Sequence, residues 1–150
     1  MAKYSFSASS LIPAPADKVY ALIADYRNGH PRILPKPYFS SLNIEKGGYG
    51  EGTVINFQMK VAGQMQFFHS VVTEPAPGRI LVETDQNTGA ATTFTVEPQQ
   101  DKSFVTFTTT LDVADGFLGK IQGWLTARLL RPIYVKELEQ LASVATEEMK

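Results

Sequence analysis

The sequence contains no cysteine, which excludes a disulfide framework, a thiol nucleophile and any cysteine-ligated metal, and suits a reducing compartment. It has only two histidines and one tryptophan. His30 and His69 fall on different predicted elements, without His-Glu-x-x-His or similar ligand spacing, so no metal site is expected. No apolar run reaches the roughly 18 residues of a membrane span. Charge of one sign is lacking too: 14 basic residues stand against 15 acidic ones, a net charge of −1, and neither sign forms a block. This argues against a nucleic-acid partner and against a polybasic membrane-surface patch. The opening Met1-Ala2-Lys3-Tyr4-Ser5-Phe6 alternates like a strand rather than showing a charged start and an apolar run, so a secretory signal is not expected and the cytoplasm is the expected location.

What is present is enough for one ordinary domain over residues 1–150: 43% of the chain is hydrophobic, sufficient to build a core without staples. The longest helical pattern runs from Gly116 to about Glu148. Phe117, Ile121, Trp124, Leu125, Leu129, Val135, Leu138, Leu141, Ala142 and Ala145 recur in steps of three and four, which predicts one apolar stripe lying on the rest of the protein. Lys120, Lys136, Glu137, Glu139, Gln140, Glu147 and Glu148 take the other faces. Pro132 interrupts the hydrogen-bond ladder and predicts a bend.

Ahead of that helix the chain reads as strands. Lys3 to Ile12 predicts a first strand ending at Pro13. Pro15 and Asp17 suit the start of a short helix reaching about Tyr26, stopped by Asn28-Gly29-His30-Pro31. Six further strands follow: Tyr38 to Glu45, Thr53 to Val61, Gln64 to Glu74, Arg79 to Thr84, Ala91 to Glu97 and Ser103 to Leu111. Gly- and Pro-containing turns separate them. On Thr53 to Val61, Ile55, Phe57, Met59 and Val61 share one face. The order predicts an α+β fold: a curved antiparallel sheet of about seven strands wrapped around a long C-terminal helix, with one or two short helices between strands one and two and a hollow between sheet and helix.

This order, with Leu11-Ile12-Pro13-Ala14-Pro15-Ala16-Asp17-Lys18-Val19-Tyr20, Gly48-Tyr49-Gly50-Glu51-Gly52-Thr53-Val54-Ile55 and the closing helix, resembles the START-like helix-grip superfamily, SRPBCC, and within it the polyketide cyclase/dehydrase and lipid transport family. The resemblance covers essentially the whole chain. It implies a cavity between sheet and C-terminal helix that takes an apolar or lipid-like ligand, and in some members cyclase or hydrolase activity. The segment after the first helix departs from the pattern by lacking the tryptophan often found there.

The ligand-binding candidates are Phe57, Met59, Met65, Phe67, Phe94, Phe107 and Trp124, whose aromatic and thioether groups offer adaptable apolar surface; the plainer alternative is that they close-pack and leave no cavity. His69 follows Met65 and Phe67 by the two-residue period and, if inward, supplies a hydrogen bond or a general base. Phe68 and Val72 make the opposite face equally consistent. Arg128, one turn beyond Trp124, either pairs with a ligand carboxylate at the rim or lays its stem on apolar surface with its charge in water. His30, in a turn, is expected in solvent. Glu45, Glu51, Glu74, Glu83 and Asp85 lie near strand ends and form no evident carboxylate pair. Gly47 to Gly52 lacks the features of a phosphate loop and reads as a flexible connection that helps shape the cavity mouth.

Three readings follow. The first is a cofactor-independent binding module for a small apolar or lipid-like molecule. The second is a polyketide cyclase/dehydratase-type enzyme with His69 as acid/base, which requires His69 inside the cavity. The third is an interaction protein with a filled core.

Overall fold

The structure, a computed structural model, describes residues 1–149. Seven strands form one antiparallel sheet: β1 (Ala2–Ile12), β2 (Phe39–Lys46), β3 (Val54–Val61), β4 (Gln64–Ala76), β5 (Ile80–Asp85), β6 (Ala91–Gln99) and β7 (Lys102–Val113). Their spatial order is β1-β7-β6-β5-β4-β3-β2, so β2 through β7 form a meander and β1 closes on the last strand. Helices α1 (Ala16–Ala24) and α2 (His30–Ile33) carry the chain from one sheet edge to the other, and α3 (Gly116–Glu148) follows β7. This is the helix-grip arrangement. Among the described residues no helix is long and apolar enough to cross a membrane.

Alternation sets the inner face of each strand. Phe6, Ala8 and Ile12 on β1, Leu81 on β5, Phe94 and Val96 on β6, and Val105 and Phe107 on β7 are buried, together with Val19 and Ile23 of α1 and Leu138 and Leu141 of α3. The outer faces of β1, β6 and β7 carry Ser and Thr, with Ser5 bonded to Thr110 and Ser9 to Thr106 across the pair, a polar ladder suited to a solvated sheet face.

The apolar stripe expected along the whole of the last helix needs correction. Leu138, Leu141 and Ala145 do face the core, but Phe117, Ile121, Trp124, Leu125, Leu129 and Val135 are exposed. The first half of α3 instead turns Gly119, Gly123 and Ala127 inward. The reason is close approach. A Cβ on Gly123 would overlap Cγ of Tyr4, so the helix backbone rests on the Tyr4 ring of β1, and bulky neighbours at that depth have no room. Gly123→Ala, which in an open helix gains about 1 kcal/mol, is accordingly expected to destabilise by about 1–3 kcal/mol through overpacking. The contact is at the root of the Tyr4 ring, which a flip of the ring about its Cβ–Cγ bond does not clear. Urea unfolding of the two proteins measures the sign.

Candidate functional site

Between sheet and α3 lies a cavity of about 370 Å³. Solvent-exposed Gln66 and Gln122 belong to its lining, so it opens between the β3–β4 hairpin and the first half of α3. One wall is aromatic. Phe57 stacks on Phe68 with centroids 4.9 Å apart, and Phe94 meets Phe107 edge-on at 4.8 Å. Leu130 contributes from the helix.

The cavity also contains a polar cluster. His30 is 3% exposed; its Nδ1 lies 2.7 Å from the Ile23 carbonyl oxygen, to which Nδ1–H donates, and its Nε2 lies 3.6 Å from Glu83 Oε2. The same carboxylate oxygen accepts from the Tyr26 hydroxyl at 2.5 Å, and Tyr26 stacks on the imidazole. Tyr134 and Thr109 share a hydrogen bond of 2.7 Å, and Thr109 another of 3.0 Å with Thr92. Glu137 is 3% exposed and lines the cavity, yet its carboxyl has no hydrogen-bond partner among the described residues. Burial, reinforced by the nearby Glu83 carboxylate, pushes the Glu137 pKa well above the ordinary range, which favours its protonated form. Burial likewise raises Tyr26, with Glu83 adding to it, and pushes Tyr134 up to about 12; both phenols stay neutral at physiological pH.

Four carboxyl side chains line the cavity: Glu83, Asp85, Asp112 and Glu137. No Lys or Arg does among the described residues. Asp112 is paired with Lys3 at 2.6 Å. Asp85 accepts from the His69 and Thr88 backbone N–H groups and from the Thr88 hydroxyl, which commits it to holding the β5–β6 turn.

Of the candidates named from the sequence, Phe57, Met59, Phe94 and Phe107 are placed on the cavity wall. Met65, Phe67 and His69 are not. The β3–β4 hairpin turns on Ala62 and Gly63, both at positive φ, a two-residue turn that fixes register. It pairs Phe57 with Phe68 and Asn56 with His69. Paired residues share a face, so Phe68 and Ser70 point inward while Phe67, 65% exposed, and His69 point out. His69 Nε2 lies 2.9 Å from Glu45 Oε2 on the outer face. Hydrogen bonds from Asn56 and then His69 hold the Glu45 carboxyl below its usual range. The acid/base role for His69 inside the cavity is thereby overturned. Trp124 is 52% exposed, and Arg128 lies over its ring at 5.3 Å, outside the cavity.

Three residues that sequence reasoning placed in solvent are inside. His30 is tucked under because Gly29 lies against α1: a Cβ there would sit 2.5 Å from the Leu22 carbonyl oxygen, so only glycine permits the link to pass so close. Glu137 falls four residues after Ile133 and four before Leu141, inside the one inward stripe, and Glu83 alternates with buried Leu81 and Asp85. Those spacings were the available signal. The Gly47–Gly52 connection is tied down on α1 by bonds from Tyr26 and Gly50 to backbone carbonyls of Gly48 and Ala24, and from Arg27 to Gly47, away from the cavity lining.

The family described as polyketide cyclase / dehydrase and lipid transport matches residues 3–146. The chain belongs to that family. Among solved structures, the KanY protein is 27% identical, with 97% of this chain and 99% of that chain covered and a TM-score of 0.79. The Zhui aromatase/cyclase of Streptomyces is 16% identical over 99% of this chain and 97% of its own, with a TM-score of 0.77. A START superfamily protein of Mycobacterium smegmatis is 14% identical over 98% and 99%, with a TM-score of 0.71. At such identities the last two establish a shared fold. No curated protein sequence matches the chain.

Proposed function

We propose that this member of the family binds a small, largely apolar molecule between sheet and α3, and that the Glu137 carboxyl orients it by donating a hydrogen bond to a ligand carbonyl or hydroxyl oxygen. The observation that carries this is the Glu137 side chain, 3% exposed and on the lining of an aromatic-walled cavity. Apolar burial supplies about 25 cal/mol per Å², so on the order of 200 Å² of ligand surface gives about 5 kcal/mol before the costs of association. Anionic lipids and fatty acids fit poorly, because the described lining holds four carboxyl side chains and no Lys or Arg to meet a carboxylate or phosphate. A cytoplasmic location belongs to the same proposal and agrees with a chain free of cysteine.

A second reading, a polyketide cyclase-type enzyme, is favoured by a different observation: Glu137, whose burial disposes its carboxyl to keep its proton, and a histidine, His30, share the cavity. Glu137 would hold a proton at a substrate carbonyl oxygen, and His30 Nε2 would accept one.

Native mass spectrometry of the purified protein with solvent extraction tests for a resident ligand, and a titration tests the chemistry. A naphthyl methyl ketone is expected to bind at least about tenfold more tightly than naphthoic acid, an anion of the same aromatic body. Failure of both to bind, with no extractable molecule, overturns the binding reading. Turnover of an extracted ketide that Glu137→Leu abolishes while binding persists establishes the enzyme.

A further inference from the structure

The first half of α3 is built inside out. Its small and polar residues face the protein, and Phe117, Leu118, Ile121, Trp124, Leu125 and Leu129 face solvent, with Phe117 77% and Leu118 75% exposed. An apolar face of this kind on a helix marks an interaction site. Its charge is also segregated. Residues 116–136 carry Lys120, Arg128, Arg131 and Lys136 and no Asp or Glu, although the whole chain is nearly neutral, so overall charge balance conceals a locally cationic segment. On the helix the exposed apolar residues form a single sector, with Lys120 and Arg131 on one flank and Arg128 and Lys136 within it; Arg131 also donates to the Ser7 carbonyl and Lys136 lies over the Tyr38 ring. Long basic side chains beside an apolar sector can lay their stems on it and extend their charges to headgroup depth.

We infer that the 116–136 half of α3 is a docking surface for an anionic lipid bilayer, lying in the plane of the interface with its apolar sector in the acyl boundary and its cations on lipid headgroups. Charge complementarity decides between the possible occupants. A second copy of the chain meeting this face about a two-fold axis would set the cationic segment against its own copy, whereas an anionic leaflet complements it. The inference extends beyond ligand binding in the cavity and does not depend on it. The two are joined geometrically, because Gln122, Thr126 and Leu130 on the opposite side of the same helical turns line the cavity. Docking therefore sets the cavity's helical wall at the lipid surface.

The chain's single tryptophan lies in the sector and reports on it. Addition of phosphatidylcholine vesicles containing about one-third phosphatidylglycerol is expected to shift Trp124 emission to the blue and carry the protein down with the vesicles. Pure phosphatidylcholine is expected to do so at least about tenfold more weakly, and added salt to weaken the anionic case. Leu118→Asp with Leu125→Asp, and separately Lys120→Glu with Arg128→Glu, are each expected to lower the partition by at least about tenfold with the thermal midpoint unchanged, since all four side chains are exposed. Unshifted emission and no co-sedimentation overturn the inference. So does a dimer in sedimentation velocity that the Leu118→Asp, Leu125→Asp protein dissolves, if the parent fails to bind vesicles; the face would then be a contact between copies.

Discussion

Phe107→Ala is expected to lower the stability of the protein by about 3–5 kcal/mol, the upper range for truncating a buried side chain. The Phe107 side chain is fully buried, edge-on to Phe94 on one side and to Tyr134 on the other, so it joins the sheet to α3 at the cavity wall. Removing the ring forfeits its transfer free energy and leaves space beside an existing cavity, where the surroundings have little with which to collapse inward. For a chain of this length the midpoint of thermal unfolding should fall by on the order of 10 °C. Phe67→Ala is the paired control. That ring stands outside the sheet, and its removal is expected to change stability by no more than about 0.5 kcal/mol. Chemical denaturation of both variants gives the answer. Equal losses would mean that Phe67 packs inward and that the β3–β4 register is wrong.

Glu137→Gln is expected to make the protein more stable at neutral and alkaline pH and to remove a pH dependence that the parent shows. The folded state holds the proton on Glu137 above the value of 4.5 at which an unperturbed glutamate releases it. As pH rises through 4.5, the unfolded chain loses this proton while the folded one keeps it, so the folded state binds more protons and stability falls with pH. The fall continues to the raised folded pKa, at up to about a tenfold loss in the folding equilibrium constant per pH unit, and then levels. The amide of the variant cannot ionise, so this contribution vanishes. The groups facing Glu137 are Glu83 from β5, His30 from α2, Tyr26 from the segment after α1 and Tyr134 from its own helix. The phenols stay neutral, and Glu83 and His30 are the other titratable groups beside it. Denaturant unfolding from about pH 4 to about pH 9 for parent and variant, taken as a difference, isolates Glu137. A flat difference would show that Glu137 ionises freely and is reached by water. Ketone binding provides the functional half: it should weaken in the parent as Glu137 loses its donor proton and stay constant in Glu137→Gln, whose amide still donates.

The order of elements was readable without coordinates because each strand alternates and each turn carries Gly, Pro or Asn, and the family resemblance agreed with it. Half of the cavity wall was readable for the same reason, since the clean alternation of Ile55, Phe57 and Met59 identifies an inward face on β3. Beyond that point local pattern ceases to determine direction. Met65-Gln66-Phe67-Phe68 is apolar on both faces, and only the two-residue turn at Ala62-Gly63, acting through cross-strand pairing, decides that Phe68 and not Phe67 enters the cavity. His30 lies in a stretch rich in turn residues, and its burial depends on Gly29 meeting the backbone of a helix seven residues earlier.

The last helix marks the division most clearly. Periodicity by itself determined that residues 116–148 form a helix, because spacing in steps of three and four is a property of neighbouring residues. Which face of that helix touches the protein was decided by tertiary structure alone. Gly119 and Gly123 turn inward and let the backbone settle against Ala114 and Tyr4, turning the larger apolar side chains to solvent and a carboxyl into the interior. A sequence pattern reports how side chains are distributed around an axis; the rotation about that axis is set by what the helix meets.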